Sequence, residues 1–119
     1  MRRLVTFLAL TATFLGGSAV APAHADQTAT TSIAQLMVLE PGDASYKLFH
    51  GAVWLDADKA TLNYRWGGLQ CKGRELSDTS VQLLFAAFRA EYQVAIEYVV
   101  TELKGKQFRC ITGLTISKS

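Results

Sequence analysis

Cys71 and Cys110 are the chain's two cysteines, and whether they stay thiols or form a crosslink depends on where the chain folds. The first residues point to the compartment. Arg2 and Arg3 make a positive start, and Leu4 to Leu15 is an apolar run broken only by threonines. Gly16, Gly17 and Ser18 loosen the helix, and Ala23-His24-Ala25 is a small-x-small cleavage site. The apolar run falls short of the roughly 20 residues that a spanning helix needs. Residues 1–25 are therefore expected to be a signal peptide, with the mature chain beginning at Asp26 and reaching the periplasm or the exterior. No cysteine lies near the cleavage site, which argues against a lipoprotein.

An exported chain with an even cysteine count favours a Cys71–Cys110 disulfide. In the chain-entropy account, closing a loop of this length stabilises the fold by about 4 kcal/mol. Structural zinc wants four ligands, and two cysteines with His50 do not supply them. There is no C-x-x-C, so a redox-active pair is not indicated. Neither a metal nor a cofactor is expected.

Charge narrows the partners. Of 12 basic and 10 acidic residues, Arg2 and Arg3 leave with the signal, so the mature part is formally neutral. A neutral surface exerts no long-range pull on nucleic acid or anionic lipid. Half the residues are hydrophobic and 18% are charged, the balance of a globular chain. One small domain, residues 33–119, follows a loose polar leader at 26–32.

Along the mature chain, Ile33 to Leu39 reads as a strand stopped by Glu40-Pro41-Gly42-Asp43, although Ala34 to Met37 would also suit a helical turn. Tyr46 to Leu55 is rich in aromatic and β-branched residues, with Gly51 marking a bend or bulge. Asp56 to Lys59 is a turn, and Ala60 to Trp66 alternates, with Leu62, Tyr64 and Trp66 on one face and Thr61, Asn63 and Arg65 on the other. Gly67-Gly68 ends that strand. Ser77 is placed to cap a helix over 78–91, with Leu76 and Val81 as a hydrophobic staple. Val81, Leu84, Phe85, Phe88 and Tyr92 fall on one helical stripe. Val94 to Thr101 alternates again, and after Lys104-Gly105-Lys106 a last strand puts Phe108, Cys110, Thr112, Leu114 and Ile116 on a common face.

The order is β-β-β-α-β-β. It fits a mainly-β or α+β fold: a small five-stranded barrel of the oligosaccharide/oligonucleotide-binding (OB) kind, or a sheet with one helix on a face.

Chemistry is sparse. No nucleophile elbow, zinc motif or phosphate loop is present. After cleavage His50 is the one histidine, placed in an expected strand, where a packed or surface role is the ordinary reading. Asp56 and Asp58 are near each other, but a turn also favours aspartate, and calcium wants six or more oxygens. A non-enzyme is expected. The candidate ligand-binding residues are Trp54, Tyr64, Arg65 and Trp66, a stacking platform for a sugar ring or base; the competing reading is that Tyr64 and Trp66 fill the core beside Leu62, with Arg65 opposite.

The capped helix Ser77–Phe88 runs directly into the strand Val94–Val99, and the cysteine-bearing strand Phe108-Arg109-Cys110-Ile111 follows. This stretch resembles the binding subunits of bacterial AB5 toxins, in particular the pertussis-like branch: small, exported, disulfide-bonded barrels with this element order. The resemblance implies assembly into a ring of five and binding of host glycans. The other reading of a small stapled domain without catalytic groups is a module that grips a protein partner, such as an enzyme inhibitor.

Overall fold

The computed structural model describes residues 25–118, so the expected signal peptide lies, except for Ala25, outside the described residues. Six strands and one long helix follow in the order β1 (Asp26–Gln27), β2 (Thr31–Val38), β3 (Gly51–Leu55), β4 (Asn63–Trp66), α1 (Asp78–Ala90), β5 (Gln93–Leu103) and β6 (Lys106–Ser117), with a 3-10 turn at Asp56–Asp58. The pairing runs β1-β5-β2-β3-β4-β6, and β5 also pairs with β6. Five strands thus meet in a ring with the helix between its third and fourth strands, the order expected for an OB-like fold. The ring is uneven. β5 and β6 pair along their whole length, but β2–β5 is joined by two residue pairs and the parallel β4–β6 contact by one, Arg65 to Cys110. The result is a sheet-dominated ring rather than a uniform barrel.

The two strand faces can be read from the register. Val53 pairs with Tyr64 and Gly51 with Trp66, and these point inward; Ala52–Arg65 and Trp54–Asn63 point outward. The interior holds Ile33, Val53, Leu55, Tyr64, Trp66, Leu84, Val94, Ile96 and Ile111. A smaller cluster of Cys71, Val99 and Cys110, with Phe108 against it, lies on the outer face. There the disulfide joins Cys71 to Cys110, with Cα atoms 5.5 Å apart, and pins the 67–75 loop over β4, β5 and β6.

The helix is capped as its sequence implies. The Ser77 hydroxyl accepts from the Ser80 amide at 3.1 Å, and Leu76 and Val81 both pack on the core. Ser77→Ala is expected to cost about 1 kcal/mol in a urea unfolding curve, with the slope unchanged.

Four expectations are corrected. Residues 26–32 are not a loose leader: β1 pairs with β5, the Thr28 amide donates to the Ile96 carbonyl, and Thr31 and Ser32 begin β2. Tyr46 to His50 is not strand. The Asp43 carboxylate accepts from the Ser45 amide and the Asp43 carbonyl from the Tyr46 amide, which turns the chain until Gly51. On α1 the buried residues are Leu84 and Ala87, with Phe85, Phe88 and Tyr92 exposed. The small Ala87 is seated against the core, which turns the aromatic side of the stripe outward. On β6 the register slips at Thr112, so Phe108 and Cys110 face out while Ile111, Leu114 and Ile116 pack on the interior.

Candidate functional site

The outer face of β3 and β4 carries the two candidate residues that are not part of the core. Trp54 and Arg65 lie there, half-buried, whereas Tyr64 and Trp66 are inside at 3% and 2% exposure. The structure therefore does not bring the four candidate residues together. Strand alternation alone separates them, and Trp66 is locked in further by Gly51. A Cβ at Gly51 would overlap the indole ring and sit 2.7 Å from the Met37 carbonyl oxygen.

Arg65 is the centre of what remains. Its guanidinium carbon is 4.2 Å from the centroid of Phe49 and 5.3 Å from that of Phe108. Nε donates to the Asn63 side-chain oxygen at 2.9 Å, and Nη1 donates to that of Gln70 at 2.5 Å. Both acceptors are neutral. Among the described residues no carboxylate lies within ion-pair distance of this guanidinium. Burial disfavours the charged form and lowers the Arg65 pKa. A guanidinium has five donors, so two satisfied hydrogen bonds leave others for a ligand. Beside it runs a groove of about 160 Å³ lined by Asn63, Arg65, Gln107, Phe108 and Arg109, among others.

The disulfide positions this group. Gln70 precedes Cys71, its amide donates to the Leu48 carbonyl, and its own carbonyl accepts from the Thr101 hydroxyl at 2.7 Å. The crosslinked loop thus presents Gln70 to Arg65, and the 39–50 connection presents Phe49. Sequence reasoning missed Phe49, Gln70 and Phe108 as neighbours of Arg65. Nothing in local spacing places them together, since Phe49 is in a turn, Gln70 in a loop and Phe108 on a strand whose face depends on the slip at Thr112.

Other candidate groups are occupied structurally. The Asp58 carboxylate accepts from the Tyr64 hydroxyl at 2.8 Å, and Asp56 accepts from the Ser32 hydroxyl. His50 lies just before β3, stacked on Tyr46 with ring centroids 3.9 Å apart, and its Nδ1 is 2.5 Å from a Glu75 oxygen. That contact ties the 39–50 connection to the segment leading into α1.

Burial first, and then the bond to Asp58, push the Tyr64 phenol above its usual pKa of 10.0. The folded protein therefore holds this proton after the unfolded chain has released it. Its contribution is intact below about pH 10 and is lost as pH rises toward the folded-state value. Stability measured by denaturant is expected to fall more steeply above about pH 10 in the wild type than in Tyr64→Phe.

Among the described residues no helix is long and apolar enough to cross a membrane. No protein-family model matches the sequence, and no curated protein or solved structure is matched by it.

Proposed function

We propose that this chain is an exported, non-catalytic binding module whose outer β3–β4 face takes a glycan. The observation that carries the reading is Arg65: a half-buried guanidinium beside two aromatic rings, with neutral acceptors and, among the described residues, no carboxylate. A charge withdrawn from water without a counter-charge lowers stability, so its placement calls for a reason outside the fold. Hydroxyl-rich rings answer to the same features. Spare N–H donors take sugar oxygens, and the part of a half-buried flanking ring that reaches the surface takes the apolar face of the sugar. In OB-like folds the second and third strands form the usual ligand face, which here is β3 and β4.

Export and assembly belong to the same reading. The disulfide is consistent with an oxidising compartment such as the periplasm or the exterior, and residues 1–25 would direct the chain there. The resemblance to pertussis-like toxin binding subunits adds a ring of five. The test is a glycan array probed with the oxidised protein, alongside its solution mass by light scattering. Specific glycans that bind wild type and lose roughly tenfold or more in affinity with Arg65→Ala support the reading. An array with no hits, from a protein of monomer mass, sinks it.

A further inference from the structure

Phe85 and Phe88 on α1, and Tyr92 two residues past its end, are 51%, 39% and 36% exposed. The spacing of three sets Phe85 and Phe88 on neighbouring turns of one side of the helix, and Tyr92 follows just beyond the left-handed Glu91 that ends it. Large aromatic side chains gathered in this way on a small domain mark an interaction surface more often than scattered ones do. Phe88 also forms one wall of a groove of about 510 Å³ with Ile33 and Ala34, and Asp56 and Glu91 line it too.

The fold does not account for the charge at 91. Glu91 closes α1 in the left-handed region at φ 57°, its amide reaching the Phe88 carbonyl while that of Tyr92 donates to Ala87. A glycine would take that conformation without strain, and a negative charge at a helix C-terminus opposes the dipole. Among the described residues neither Glu91 nor Asp56 has a lysine, arginine or histidine within 4.0 Å. Arg89 does not supply one; its guanidinium carbon lies 5.6 Å from the Phe85 ring.

We propose that this side of α1 is a docking surface for a partner protein that presents a lysine or arginine next to an apolar side chain. Charge complementarity selects the occupant. The cation enters the groove toward Glu91, with Asp56, whose carboxylate also accepts from the Ser32 hydroxyl, adding negative charge on its wall; its alkyl stem runs along Phe88, Ile33 and Ala34, and the apolar neighbour packs on Phe85. The proposal is independent of the glycan reading, since Arg65 takes no part in it.

The test titrates two synthetic amphipathic helical peptides into the isotopically labelled, oxidised protein. One carries leucines at i, i+3, i+4 and i+7 with lysines elsewhere, the other the same leucines with glutamates, and amide shifts are followed by NMR. The expected result is saturable shifts at residues 85–92 and 32–34 with the lysine peptide, and roughly tenfold or weaker binding of the glutamate peptide. Glu91→Gln, which leaves the aromatic residues in place, should weaken the lysine peptide several-fold, and Arg65→Ala should not. Equal binding of the two peptides, or shifts confined to other faces, overturns the proposal. So does concentration-dependent self-association that Phe85→Ser abolishes, because the occupant is then a second copy of this chain.

Discussion

Replacing both cysteines, in Cys71→Ala/Cys110→Ala, is expected to lower the unfolding free energy by about 4 kcal/mol. The crosslink joins residues 39 apart in sequence, and the freedom it removes from the unfolded chain grows with the logarithm of that loop. Few small domains have more than about 5–15 kcal/mol in total, so this is a large share. The native side adds to the loss, because both sulfurs are fully buried in the small outer cluster with Val99 and Phe108. Hydrogen bonds from Gln70 to Leu48 and from Thr101 to Gln70 remain to hold the loop, so the variant should keep the strand ring while melting earlier. Urea midpoints of oxidised, reduced and doubly substituted protein measure this directly. If all three coincide, the crosslink contributes nothing and the packing account of the outer cluster fails.

Trp66→Ala should cost a similar amount, about 3–5 kcal/mol, through the cavity left by a fully enclosed indole. Trp54→Ala, at a half-buried outer position, should cost clearly less. The contrast separates a core tryptophan from a surface one without a ligand in hand. Gly51 sharpens it. In the wild type, Gly51→Ala drives a methyl group into the indole and toward the Met37 carbonyl, and it should destabilise on its own. Once the ring has been removed by Trp66→Ala, most of that clash is gone, so the two substitutions should couple strongly in a double-mutant cycle. Additive costs would mean that the indole does not rest on Gly51.

The elements that local patterns govern were legible in the sequence. Ser77 marks the start of α1, the Asn63 to Trp66 alternation divides inside from outside, and the β5–β6 hairpin is announced by its turn. What escaped depends on contacts distant in sequence. The stripe from Val81 to Tyr92 predicts one amphipathic face, but which part of it is seated depends on the room the sheet leaves, and Ala87 takes that place. One inserted residue at Thr112 exchanges the faces of β6, and alternation gives no sign of it because apolar residues stand on both sides. Of the candidate site, Arg65 was readable as lying on the face opposite Tyr64 and Trp66, while no face was assigned to Trp54. The rings that flank Arg65 were not readable, since they come from a turn and from the far hairpin.

The parallel seam between β4 and β6 has a further consequence. Its single backbone pair, Arg65 with Cys110, is the shortest ladder in the ring, and the residue on one side of it carries the disulfide. A sheet that breathes should part there before it parts along the continuous β5–β6 ladder. The motion is tethered, because Cys110 can draw away from β4 only as far as the 67–75 loop follows. The aperture beside Arg65 is therefore governed by a covalent leash more than by hydrogen bonds, and reduction should widen the range of gaps it samples without unfolding the strands around it.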